Sequence, residues 1–230
     1  QAKGITRKSF AKIKPYIEGQ IIYSDVKGGS ADTKELTNID FSGYVGNFGA
    51  KSALDSDVTG GIELGLKGFM HPNVRIGFSY AKPDYDVESL TLFSSGSITD
   101  PSSNEIAAGV GVVLSPAAYQ ALTGESLGSI YIKKYMFNAY YDFDITETFK
   151  PFIGVGLGMA DIEDMDDKEF AYSGHIGAKY YLSKDAYLGG KFTYTSINGP
   201  KLTSTADSSV VWHYNDIDIY NFSATLGFEF

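Results

Sequence analysis

The last eleven residues, 220–230, alternate without a break and end on an aromatic side chain. Tyr220, Phe222, Ala224, Leu226, Phe228 and Phe230 fall on one face of a strand, and Asn221, Ser223, Thr225, Gly227 and Glu229 fall on the other. The face with four aromatic rings is too apolar for water, and its opposite is too polar for a core between two packed sheets. A strand with lipid outside and a polar lumen inside satisfies both faces. Its length matches the roughly 9–11 residues that a tilted transmembrane strand needs.

Period-two alternation marks seven further segments. Residues 13–24 set Ile13, Ile17, Ile21 and Tyr23 against Lys14, Tyr16, Glu18 and Gln20. Residues 58–67 set Val58, Ile62, Leu64 and Leu66 against Thr59, Glu63 and Lys67, and residues 74–80 set Val74, Ile76, Phe78 and Tyr80 against Arg75, Gly77 and Ser79. Residues 131–143 are less regular at their start but close with Phe137, Ala139, Tyr141 and Phe143 opposite Asn138, Tyr140 and Asp142. Residues 149–159 oppose Phe149, Ile153, Val155, Leu157 and Met159 to Lys150, Gly154, Gly156 and Gly158. In 172–182, Ile176, Ala178, Tyr180 and Leu182 oppose His175, Lys179 and Tyr181; in 186–195, Leu188, Phe192 and Tyr194 oppose Tyr187, Lys191 and Thr193.

This pattern predicts an all-β fold, a transmembrane antiparallel up-and-down β-barrel of eight strands over residues 13–230, preceded by a segment 1–12. Connections 70–73, 144–148 and 183–185 are expected to be tight turns, and 25–57, 81–130, 160–171 and 196–219 long loops. Short and long connections would then alternate strictly, as in a meander with one trimmed and one elaborated rim, and both termini would lie at the short-turn rim. Residues 38–48 and 107–114 also have strand character and leave a count of ten open.

Charge separates this fold from its soluble counterparts. The polar faces carry Lys14, Glu18, Glu63, Lys67, Arg75, Asp142, Lys150, His175, Lys179, Lys191 and Glu229, while the apolar faces carry essentially none. A soluble barrel or sandwich would turn its apolar faces inward and solvate these charges. A membrane barrel walls them in, where opposite signs pair. Eight strands enclose a space that side chains fill, and Gly154, Gly156 and Gly158 are expected to leave room for Tyr16, Tyr140 and lysines from neighbouring strands.

Composition fits. Tyrosine (17) and phenylalanine (15) far outnumber tryptophan (1), glycine is abundant (26), and the lack of cysteine removes disulfide and thiolate-metal chemistry. Mean hydropathy is −0.12 because alternating strands average out, and no run of roughly 18 apolar residues offers a helical span. A net charge of −9 would repel nucleic-acid phosphates. The start at Gln1 without a charged leader reads as a mature chain after signal cleavage.

The stretch 137–159, FNAYYDFDITETFKPFIGVGLGM, joins a Tyr-Asp-Phe strand end through a turn to a Pro-Phe and Gly-x-Gly-x-Gly strand. Together with 170–182, FAYSGHIGAKYYL, and the terminal Gly-Phe-Glu-Phe, it resembles the bacterial eight-stranded outer-membrane barrels related to the OmpA transmembrane domain and the opacity proteins, including surface-antigen families of intracellular bacteria. The resemblance covers most of the strands and none of the long loops. It implies export to the outer membrane of a Gram-negative bacterium with both termini periplasmic, contact with the lipid bilayer and lipopolysaccharide, and reading of Phe228 and Phe230 by the barrel-assembly machinery. Many such terminal signals carry glycine where Thr225 stands here.

Motifs for other chemistry are incomplete. GVGLG at 154–158 lacks the sixth-position glycine and the following helix of a dinucleotide loop, and Gly189-Gly190-Lys191 precedes Phe192 rather than Ser or Thr. His71 sits in a turn beside Pro72, and His175 faces the lumen near Lys179, where a buried hydrogen bond is expected. His213 lies near Ser208, Ser209, Asp216 and Asp218, the one group from which a rim hydrolase could be assembled. The run 161–169, DIEDMDDKE, lacks the glycine and spacing of a calcium loop and reads as a solvated loop, or as a diffuse divalent-ion bridge to lipopolysaccharide. No catalytic residue, cofactor or metal site is expected.

The second long loop is unusually apolar. After AAGVGVVL at 107–114, Ser115 as N-cap, Pro116 at the first helical position and Gly124 as a stop predict a short helix. Val112, Val113, Leu114, Tyr119 and Leu122 would either pack among the loops or form a contact surface. The sequence thus points to a monomeric, non-enzymatic barrel displaying loops for envelope stability, or for adhesion to a host or envelope protein. A narrow porin-like channel or transporter for small or apolar solutes is the alternative, and the rim hydrolase a third.

Overall fold

In the computed structural model, which describes residues 13–41, 44–68, 70–94, 96–106, 111–124, 126–203 and 211–230, the alternating segments become eight long strands. These are β1 (Lys14–Val26), β2 (Asp57–Lys67), β3 (Val74–Ala81), β4 (Ser129–Asp142), β5 (Phe149–Ile162), β6 (Glu169–Tyr181), β7 (Ala186–Ile197) and β8 (Ile217–Glu229). Each pairs antiparallel with the next, and β8 returns to β1 with Ile17 opposite Phe228, so the sheet closes without an edge. The segment 1–12 lies outside the described residues. No described helix is long and apolar enough to cross a membrane.

Closure gives the two strand faces their environments. Ile21, Val58, Phe78, Phe137, Val155, Ile176 and Phe222 stand exposed on the outer wall, whereas Glu63, Arg75, Tyr140, Asp142, Lys179 and Tyr187 point inward and are buried. An apolar band around the whole wall is untenable in water and natural in hydrocarbon. Aromatic rings gather at its two margins. Tyr80 and Tyr135 meet at 5.2 Å and Tyr194 and Tyr220 at 5.7 Å near the loop rim, with Tyr141 and Phe143 at 5.2 Å near the turn rim. Amphipathic rings favour these interfacial levels.

The connections depart from strict alternation. Residues 70–73, 143–148 and 182–185 are tight turns, but the expected third long loop, 160–171, is a turn of residues 163–168 only. Strands β5 and β6 run on past the apolar band because their backbone groups still pair there, Ala160 with Glu169 in register. At this height the inward positions become apolar and the outward ones polar, the reverse of the pattern lower down. Ala160, Ile162, Ala171, Ile197, Ile217 and Ile219 are buried inside.

The remaining long connections are folded too. Asp84–Ser94 pairs with β4 through Asp86 and Ser129, carries Tyr44–Leu54 on one side and Gly111–Leu114 on the other, and so builds a second sheet above the loop rim. Leu36–Phe41 completes a hairpin with Tyr44–Leu54. The stretches expected as possible extra wall strands belong to this sheet, so the barrel count is eight; residues 107–110 lie outside the described set. The helix forms over Pro116–Thr123, with Ser115 Oγ accepting from Ala118 N at 3.2 Å and Gly124 ending it at φ 79°. In the last loop, Lys201–Thr203 pairs with Val211–His213, and a bridge between Thr33 and Tyr214 ties this hairpin to the first loop.

Candidate functional site

The lumen is filled from the turn rim upward by paired charges. Arg75 Nε donates to both carboxylate oxygens of Asp142 at 3.0 and 3.1 Å, and Lys179 Nζ donates to the same carboxylate at 2.6 Å. Lys179 also lies 3.7 Å from Glu229, which receives Lys67 Nζ at 2.9 Å and the Tyr181 hydroxyl. These groups come from β2, β3, β4, β6 and β8, so the cluster ties five strands across the barrel.

A second layer centres on Glu63. Its carboxylate accepts from the hydroxyls of Tyr16 at 2.6 Å and Tyr140 at 2.7 Å and from Asn138 Nδ2 at 2.9 Å, with Lys191 Nζ 3.8 Å away. Lys191 is also 3.6 Å from Glu18, to which Tyr187 donates at 2.9 Å. The Arg75 guanidinium lies 4.5 Å from the Tyr140 ring centre and 5.3 Å from that of Tyr16, which joins the two layers by cation–π contact. Space for these rings comes from glycines on adjacent strands. A Cβ at Gly154 would strike Tyr140, and one at Gly65 or Gly77 would strike Tyr16. The sequence expectation that Gly156 and Gly158 make room for tyrosines is corrected: Gly156 admits Asn138 and Ser173, and Gly158 admits Met136.

Above the charges the lumen turns polar and then apolar. His175 Nδ1 lies 2.9 Å from Thr193 Oγ1, and its Nε2 lies 3.0 Å from Ser173 Oγ and 3.2 Å from Asn138 Oδ1. Ser24 Oγ donates to Asn221 Oδ1 at 2.6 Å and shares a 2.5 Å hydrogen bond with the Tyr85 hydroxyl. Over this, Val26, Leu54, Tyr85, Val87, Ile132, Ile162, Ile197 and Ile219 form a continuous apolar cluster. Tyr85, Val87 and Leu54 come from the loop sheet, so the sheet is seated in the barrel mouth like the lid of a soluble core.

The family model for the outer membrane protein beta-barrel domain matches residues 115–230, half of the chain, including β4 to β8. The chain belongs to that family. Its apolar wall therefore faces the hydrocarbon of a bacterial outer membrane. Among solved structures, the outer membrane protein OprG from Pseudomonas aeruginosa is similar at 14% identity and TM-score 0.49, covering 96% of this chain and 98% of its own. Neisserial surface protein A is similar at 11% identity and TM-score 0.48, covering 95% and 97%. The N-terminal barrel domain of OprF from Pseudomonas aeruginosa is similar at 10% identity and TM-score 0.41, covering 95% and 100%. No curated protein matches.

Within this outer-membrane barrel, Glu18, Glu63, Lys67, Arg75, Asp142, His175, Lys179, Lys191 and Glu229 converge on the layers just described. Lys14 and Lys150 do not. They stand at the turn rim, paired with Asp185 at 3.5 Å and Asp144 at 2.6 Å. The Lys150 hydrogen bond holds the Asp144 carboxyl below the usual aspartate range. Phe228 and Phe230 face outward at the end of β8, with Phe230 N donating to Pro15 O at 2.9 Å. Val112, Val113 and Leu122 are exposed on the loop sheet and its helix, while Leu114 and Tyr119 are half-buried.

Around His213 the described residues have structural work. Its carbonyl accepts from Lys34 N, Asp216 accepts from Gly199 N at 2.9 Å, and Asp218 lies 3.4 Å from Lys27. Ser208 and Ser209 lie outside the described residues. In the acidic turn, Asp166 accepts from Thr203 Oγ1 at 2.7 Å and Asp161 is 3.8 Å from Lys168. Sequence reading missed Lys134, which is buried in the lumen, and Tyr85, which seats the loop sheet. The parity of β4, with Asn138, Tyr140 and Asp142 inward, does assign Lys134 to the lumen; apolar Ile132 and Met136 beside it mask that signal.

Proposed function

We propose that this protein is a surface-displayed outer-membrane anchor whose folded loop sheet recognises an extended segment of a host or envelope protein. In this reading residues 13–230 form one barrel domain, the loops lie outside the cell, both termini are periplasmic, and the chain acts as a monomer. Phe228 and Phe230 then serve the barrel-assembly machinery, and the girdles contact lipid and lipopolysaccharide.

One observation carries the reading: the lumen is occupied by paired charges below and an apolar cluster above, while among the described residues Gly111–Leu114 is an edge of the loop sheet with Val112 and Val113 exposed. A strand hydrogen-bonded on one side offers its other backbone edge to an extended peptide, and exposed β-branched side chains favour strand addition. The test uses the barrel refolded in lipid against a panel of envelope and host surface proteins. Val113→Pro should weaken a bound partner at least tenfold and leave the heat-modifiable barrel intact. Equal binding by the variant counts against the edge.

The channel reading predicts sustained conductance in planar bilayers. Under the proposal conductance is absent or brief, because an ion would have to displace Arg75–Asp142 and the Tyr85 cluster in turn.

A further inference from the structure

Among the described residues Lys134 is the one buried lumen cation that the pairing scheme leaves over. Its side chain points inward from β4 and is 5% exposed. Among the described residues its ammonium has neither a carboxylate within ion-pair distance nor a hydrogen-bond acceptor. The four lumen carboxylates are already engaged: Asp142 by Arg75 and Lys179, Glu229 by Lys67 and Tyr181, Glu63 by Tyr16, Tyr140 and Asn138, and Glu18 by Tyr187 and Lys191. Five cations, Lys67, Arg75, Lys134, Lys179 and Lys191, thus face four carboxylates, which leaves the lumen one positive charge in excess, and among them Lys134 alone touches no carboxylate.

Lys134 also borders open space. It lines a cavity of about 50 Å³ with Lys191, His175, Thr193, Asn138 and Asn221, between the charged layers and the apolar cluster. One water needs about 10–15 Å³ of such space, so the chamber holds a few water-sized species. Its walls carry a second ammonium together with hydroxyl and amide groups, which suit an anion with its residual waters. An ammonium kept from bulk water without a counter-charge in contact is strongly disfavoured, and among the described residues no carboxylate reaches Lys134.

We propose that this chamber is a binding site for a small monovalent anion of the halide class, held by Lys134 and solvated by the surrounding hydroxyl and amide groups. The single excess charge selects a monoanion over sulfate or phosphate. The ion would act as a buried counter-charge that completes the lumen network.

The test measures urea unfolding of the refolded barrel at pH 7 and constant ionic strength while gluconate is replaced by chloride. Wild type should gain stability with a saturable dependence on one chloride, sulfate should not substitute, and Lys134→Met should lose the dependence while still closing as a barrel. Identical chloride responses in the two proteins overturn the proposal. Should Lys134→Met fail to fold, bromide-soaked crystals of wild type decide: an anomalous peak within contact distance of Lys134 Nζ supports the site, and an ordered lumen without one overturns it.

Discussion

Arg75 and Asp142, separated by 67 positions, form a two-oxygen ion pair at 3.0 and 3.1 Å in which neither side chain exceeds 2% exposure. Two charges so enclosed are stable only as a pair, because each would otherwise lack both water and a counter-ion. Asp142→Asn keeps the shape but leaves Arg75 and Lys179 facing a neutral amide. The barrel should lose about 3 kcal/mol in reversible urea unfolding from lipid. An unchanged midpoint would mean that lumen water solvates the two cations.

Tyr16 tests the layer above. Its hydroxyl donates to Glu63 at 2.6 Å, and Tyr16→Phe removes that donor without altering the ring's fit over Gly65 and Gly77. A hydrogen bond to a charged group contributes about 1.5–3 kcal/mol, and Tyr140 and Asn138 still serve Glu63. The loss should therefore fall near 1.5 kcal/mol. Gly77→Ala, which drives a methyl into the Tyr16 hydroxyl and Glu63, should cost more than Tyr16→Phe in the same assay.

Tyr85 is fully buried and fastens the loop sheet to the barrel through the apolar cluster and Ser24. Truncating a buried ring costs about 3–5 kcal/mol. In Tyr85→Ala that loss should fall on the loop sheet rather than on the wall, whose strand ladder does not include the ring. Protease should then nick residues 82–128 readily while the barrel remains heat-modifiable on gels. Loss of barrel closure itself would show that the sheet and wall fold as one unit.

At the turn rim Asp144 titrates below the usual aspartate value of about 4 because Lys150 Nζ donates to it at 2.6 Å. A depressed folded-state value means that the pair's contribution is complete above the unfolded aspartate value and fades as pH falls through the folded one. Asp144 is largely exposed, so screening keeps the contribution small. A carboxyl-detected NMR titration in micelles should show Lys150→Gln raising the Asp144 midpoint. No movement would assign the depression to the Asn73 side chain, which also hydrogen-bonds this carboxyl.

How much could be read in advance varied along the barrel. The residues opposite hydrocarbon were plain in every strand, since Phe78, Val155 or Phe222 has no other environment to occupy. The helix was equally plain, because Ser115, Pro116 and Gly124 are local signals for a local structure. Legibility failed at the loop rim. There Ile132, Ile162 and Ile219 turn inward while Asp161 and Asp218 turn outward, and the alternation persists with its chemistry reversed. The alternation legible in the sequence therefore stops short of this rim, at 159 rather than Ile162 in β5 and at 172 rather than Glu169 in β6, and it hides Lys134 and Tyr85.

The sequence by itself determined an up-and-down wall of at least eight strands and which of their side chains face lipid. Alternation has a period of two, and each strand meets lipid on one face whatever its neighbours are. Only the tertiary structure decided which charges pair, that the loops rise as a sheet plugging the mouth, and that one lysine is left over. Those outcomes depend on strand register and on contacts such as Tyr16 with Glu63, 47 positions apart, or Ser24 with Asn221, 197 apart. No local pattern encodes them: Tyr16 reaches Glu63 only in the register of β1 on β2, and Ser24 reaches Asn221 only when β8 closes against β1.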